Sequence, residues 1–212
     1  MHPLQRPNKS IKLGFIKTSK IELIDIGKAW IAISVAFALV FSGINLVRGT
    51  LASVYSLEFL IMFLISLFTA GIGFLLHELA HKFSAQHYGC TAEFRAFDQM
   101  LYLAMGLAAV IGFIFAAPGA VMIAGHITRK ENGIISAAGP LTNFVLAMIF
   151  LGLNFTVPSL GLIWSTGFMI NMWLGLFNML PFGNFDGKKI LYWHRYIWLA
   201  MVIFGVFFVF FF

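Results

Sequence analysis

The chain has 212 residues, of which 60% are hydrophobic, 17% aromatic and only 10% charged, with a formal net charge of +6. A soluble domain carries about a quarter charged residues, so this balance identifies an integral membrane protein, with room for five or six elements of about 20 residues and none for a second, soluble domain. The cations lie in loops between apolar runs, without a basic stripe or a nucleic-acid module, which excludes nucleic acid as a partner, and the single cysteine, Cys90, excludes an internal disulfide.

Residues 1–28 are polar, with Arg6, Lys9, Lys12, Lys17, Lys20 and Lys28 against Glu22 and Asp25. The apolar run starts too late after these cations for a cleavable signal, so the segment reads as a cytoplasmic anchor ahead of a membrane-embedded domain over residues 29–212. Alternation over residues 11–17 suits a short strand or an interfacial segment equally. Residues 29–47 are free of charge and long enough for a first transmembrane helix, flanked by Lys28 and Arg48.

A second apolar run, residues 59–76, continues to about Gln86 and ends in His77-Glu78-Leu79-Ala80-His81. Histidines four apart share one helix face and can close on a single metal ion, and the carboxylate between them stands where it can take a proton from a metal-activated water. The spacing supplies two ligands and a base. Ionisable groups at the end of an apolar run are expensive and are kept mainly for function or pairing. Gly71 and Gly73, just before the motif, allow a neighbouring backbone to approach.

After Gly89, residues 91–98 alternate as a surface strand does, and His87 lies off the metal-binding face as an exposed residue. Residues 118–125 read as a turn and short strand with a basic tip at His126, Arg129 and Lys130, His126 being solvated. Between them, residues 101–117 form an apolar run near the lower limit for crossing. If this run does not cross, thirteen of the fourteen Lys and Arg lie on the cytoplasmic side; if it crosses, the division is eight to six. The positive-inside rule selects a re-entrant or partly submerged segment.

Residues 133–155 form the next span, with Gly139 and Pro140 loosening its start, small residues there allowing close packing against the metal-bearing helix, and Asn143 as a polar group at membrane depth that bonds between helices or faces the site. Residues 160–180 span again, and residues 197–212 close the bundle. The expected class is an all-α polytopic membrane protein of about five transmembrane helices, a re-entrant segment and a small β-hairpin or sheet at the cytoplasmic face. Between the last two spans, Pro181, Gly183 and Gly187 break the helix around Asp186, an irregularity found at membrane depth where backbone lines a cavity. An isolated Asp-Gly is an ordinary turn. Two histidines, however, need a third protein ligand, and Asp25 and Asp98, the other aspartates, lie on amino-terminal or surface segments.

His77-Glu78-x-x-His81 followed by Asn178-x-x-Pro181-x-x-x-x-Asp186-Gly187 resembles the site-2 protease family of intramembrane zinc metalloproteases, and Ala138-Gly139-Pro140-Leu141-Thr142-Asn143 is similar to that family's third core helix. The resemblance covers residues 59–190. It implies one zinc ion on His77, His81 and Asp186, Glu78 as general base, Asn178 near the substrate carbonyl, and strands around residues 93–97 and 120–124 that offer an edge to an unwound transmembrane substrate. The expected setting is a multi-pass protein of the cell membrane, in contact with lipid, whose site faces the cytoplasm. The departure from the family is residues 101–117, longer and more apolar than its short hairpin. Two rivals are a metal-dependent membrane oxidase, which would need more histidine pairs than the one present, and a catalytically silent membrane binding protein.

Overall fold

The computed structural model describes residues 10–13, 16–114 and 118–212. Arg6 and Lys9, two positions of the 11–17 alternation and the last three residues of the 101–117 run lie outside them. The alternation belongs to a hairpin, β1 (Ser10–Leu13) pairing antiparallel with β2 (Ile16–Ser19).

Ser19 then caps α1 (Lys20–Phe41), its side chain accepting from the Glu22 N–H. The helix thus starts nine residues before the expected 29, because Glu22, Asp25 and Lys28 find protein partners and need not stay in water. It also ends before the expected 47. Gly43 takes φ 62°, its N–H donates to Val40 O, and Ile44 N–H donates to Leu39 O, so the last carbonyls are satisfied by a left-handed glycine cap.

One continuous helix of 31 residues, Leu57–His87, carries the motif. It comprises α2 (Leu57–Ser66), a π turn (Leu67–Gly71) and α3 (Ile72–His87). The wider π turn leaves a carbonyl available, and Trp30 Nε1 donates to Leu67 O at 2.9 Å. Gly71 and Gly73 do permit close approach, but by side chains: a Cβ on Gly71 would meet Trp30 and Ser34, and one on Gly73 would meet Asn171.

Beyond Gly89, β3 (Thr91–Ala96) pairs antiparallel with β4 (Gly119–Ala124), and α4 (Asp98–Ile111) lies between them in sequence. Only part of the 101–117 run is therefore helical, since Gly112 at φ 72° stops it. α4 runs beside α1, with Lys28 Nζ 2.9 Å from Asp98 Oδ1 at one end and Leu46 N–H 2.8 Å from Ala109 O at the other. Ala96 faces Gly119, so the chain returns to the end it left. The segment is re-entrant in form.

α5 (Arg129–Thr156) opens on a capping box between Thr128 and Glu131, and Pro140 sits inside it without ending it. A short turn (Pro158–Leu160) leads into α6 (Gly161–Asn178). The break after α6 holds a helix that periodicity did not announce, α7 (Asp186–Trp193), followed by α8 (Arg195–Phe211). Among the described residues, four helices are long and apolar enough to cross a membrane, namely Lys20–Phe41, Leu57–His87, Arg129–Thr156 and Pro158–Asn178. α8, counted as a fifth span from sequence, is a shorter apolar helix of 17 residues, at the lower limit for crossing. Two of the buried apolar clusters among the described residues flank the site: Ile33, Phe74, Phe94 and Leu101 join α1, α3, β3 and α4, while Phe144, Met172, Met179 and Ile190 join α5, α6 and α7.

Candidate metal centre

Because α3 keeps a helical repeat through the motif, His77 and His81 stack one turn apart with Nε2 atoms 3.0 Å from each other. Asp186, the first residue of α7, brings Oδ2 to 3.4 Å from His77 Nε2 and 3.0 Å from His81 Nε2. All three side chains are buried, at 5%, 8% and 7% exposure. In a tetrahedral site with metal–nitrogen bonds of 2.0–2.1 Å, neighbouring ligand atoms stand about 3.3 Å apart. The three edges of this triangle bracket that value.

The other ring nitrogens fix what the triangle presents. His81 Nδ1 lies 2.8 Å from Ile135 O, which can only accept, so Nδ1 carries the hydrogen. His77 Nδ1 meets Asn143 Oδ1 at 2.5 Å; the Asn143 amide nitrogen is used on Gly73 O and Asn171 Oδ1, so its oxygen faces the ring and His77 donates as well. Both Nε2 atoms therefore offer lone pairs to the same point as a carboxylate oxygen. Convergent lone pairs call for a positive charge between them. Lys189 Nζ stands 3.5 Å from the second oxygen of Asp186, leaving Oδ2 as the oxygen turned to the two rings. The set could hold one divalent ion with a fourth position free, the pattern of a catalytic site.

Two glycines make room. A Cβ on Gly139 would fall against both imidazole Nε2 atoms, 2.6 Å from that of His77, so α5 passes the rings closely only because it carries no side chain there. A Cβ on Gly187 would strike the backbone of Met179 and lie 2.7 Å from Leu180 O. That contact seats Asp186 on the end of α6, and it gives the Asp-Gly pair a packing reason beyond a turn.

Glu78, half-buried on α3, accepts the Val121 N–H of β4 on Oε2 at 3.1 Å. Asn178 ends α6 and donates to Leu174 O of its own helix at 2.9 Å, rather than to any of the metal-group residues. His87 and His126 are exposed, and Asp25 and Asp98 are taken by Lys28. Sequence reasoning left Asn143 between two roles and did not find Ile135 O or the partner of Lys82, while the close packing that it expected of the small residues around Gly139 against the metal-bearing helix is what the structure shows. A lysine next to the second histidine of an apolar helix was the available signal for the partner of Lys82, since such a charge demands a carboxylate.

Three proteins named as zinc metalloproteases are similar to this chain. The chain is 48% identical over 144 residues to the "Putative zinc metalloprotease MJ0611" of Methanocaldococcus jannaschii, covering 66% of this chain and 75% of that protein. It is 34% identical over 134 residues to the "Putative zinc metalloprotease Rip2" of Mycolicibacterium smegmatis, covering 55% and 51%. It is also 23% identical over 161 residues to the "Zinc metalloprotease MJ0392" of Methanocaldococcus jannaschii, covering 74% and 39%. The chain thus spans about half or less of these last two proteins. No family model and no solved structure matches. Identity of this order over three quarters of the first relative makes the chain a member of the same family, the site-2 protease family of zinc metalloproteases.

Proposed function

We propose that this protein is an intramembrane zinc metalloprotease that hydrolyses peptide bonds in transmembrane segments of membrane protein substrates, with its site toward the cytoplasmic face of the cell membrane. The observation that carries this is the buried triangle of His77, His81 and Asp186 beside Glu78, set at one end of four helices of membrane-spanning length. Among the described residues the cations of β2, α1, α3, β3, α5, α7 and α8 gather at that same end, while Arg48 stands at the other, which favours the cytoplasmic side.

His77, His81 and Asp186 would hold the ion. Zinc, when bound, supplies a Lewis acid that polarises a peptide carbonyl and makes a water acidic near neutral pH. Glu78 takes the proton of the attacking water on Oε1, the oxygen not engaged by Val121, and delivers it to the leaving amine. Asn178, once released from Leu174 O, donates its amide to the substrate carbonyl oxygen as charge develops there. A helical substrate must first give up some of its own hydrogen bonds. The outer edge of β4, whose Val121 N–H already points at Glu78, offers replacements by strand addition.

The test is co-expression with candidate single-span membrane proteins, comparing the native chain with Glu78→Gln. Cleavage within the span by the native chain alone is expected, on the order of 10²–10⁴-fold faster. Equal cleavage by both, or cleavage only outside the membrane, would overturn the proposal.

A further inference from the structure

Glu22 and Lys82 are 0% and 1% exposed, with Lys82 Nζ 2.8 and 2.7 Å from the two carboxylate oxygens. The same carboxylate accepts Thr18 Oγ1 at 2.8 Å and the Phe94 N–H at 2.8 Å. A buried ion pair gains little stability over a well-packed apolar pair of like volume. What leucine and methionine could not supply is one acceptor fixed by donors from β2, α3 and β3.

Phe94 stands opposite Val121. In an antiparallel ladder, alternate pairs turn both N–H groups away from each other, and this is such a pair. The Phe94 N–H goes to Glu22 and the Val121 N–H to Glu78 Oε2, so the sheet is gripped at a single rung by a carboxylate on each side. Glu78 and Lys82 are one turn apart on α3, which closes a ring from Glu78 through Val121, Phe94, Glu22 and Lys82 back to the same helix.

Resting on the metalloprotease assignment, we propose that Glu22 is a positioning residue for Glu78: by holding the Phe94–Val121 rung it keeps the Val121 N–H on Glu78 Oε2 and so aims Oε1 at the attacking water. Glu22 touches neither substrate nor ion. Packing of Phe94 on Phe74, with ring centroids 6.0 Å apart, keeps the sheet in place without the carboxylate, so what is lost on removing it is the aim and not the fold.

Two volume-matched, charge-free doubles separate these effects. Glu22→Leu with Lys82→Met removes the acceptor for the Phe94 N–H, while Glu22→Gln with Lys82→Met retains an amide oxygen for it. The zinc-loaded full chain, labelled with 15N-valine in lipid nanodiscs, is followed for amide hydrogen exchange and for turnover of a quenched-fluorescent transmembrane peptide. The leucine double is expected to exchange the Val121 amide at least tenfold faster than the native chain, and to lower kcat about tenfold with KM and zinc content unchanged. The glutamine double is expected to recover both. Native-rate exchange at Val121 in the leucine double, or equal losses in the two doubles, would overturn the proposal in favour of a purely structural ion pair. If Val121 exchange follows Glu22 while the native chain cleaves no peptide, the protease assignment fails and the mechanical link stands.

Discussion

His77 Nδ1 lies 2.5 Å from Asn143 Oδ1, a bond that joins α3 to α5 and settles which nitrogen of His77 is turned toward His81 and Asp186. Asn143 is itself 0% exposed, and its amide group is anchored on Gly73 O and Asn171 Oδ1. The histidine is thus oriented by a relay of two asparagines from α5 and α6.

Asn143→Ala breaks that relay and leaves the His77 Nδ1–H without an acceptor. Zinc affinity is expected to fall by about 10–100-fold, the usual effect of losing a residue that orients a ligand. Competition with a graded series of chelators measures it, and an unchanged affinity would remove Asn143 from the support of the site.

Gly139→Ala places a methyl group where both imidazoles now stand. The backbone cannot yield far inside a close-packed bundle, so the rings must turn away from Asp186. Loss of stoichiometric zinc is expected, with helix content retained. Metal analysis and circular dichroism on the same sample check both parts.

Asp186→Asn keeps the shape of the side chain but removes its charge. An amide is a poorer zinc ligand than a carboxylate, so metal is expected to be lost on dialysis against a mild chelator that leaves the native chain loaded. Retention of full zinc content would take Asp186 out of the ligand set.

Lys130 and Lys188 are both exposed, at the start of α5 and in α7. Single cysteines at these positions, in a Cys90→Ser background, are expected to resist a membrane-impermeant thiol reagent in intact cells and to react once the membrane is opened. Labelling of either one from outside would reverse the orientation proposed for the site.

Local pattern was enough to read the membrane class, the helix that carries the histidines, and His77, His81 and Glu78 as a set, because a four-residue spacing on a helix is itself a statement about distance. Asp186 was reachable by scarcity, since the other two aspartates, Asp25 and Asp98, fall on segments that read as amino-terminal or surface, although Asp25 is in fact buried on α1 and paired with Lys28. The start of α1 was misplaced because charge was taken to mean water, whereas Glu22 pairs with Lys82 across 60 positions of sequence. The same limit hid the acceptors of the two histidines, Asn143 and Ile135 O, which lie 66 and 54 positions away. Such partners are chosen by which helix faces meet, and at Gly139 by what a neighbouring ring leaves no space for. Periodicity along one helix carries no information about the helix that packs against it, so the ligand types were written in the sequence while their orientation, and the rung that steadies Glu78, were decided only by tertiary packing.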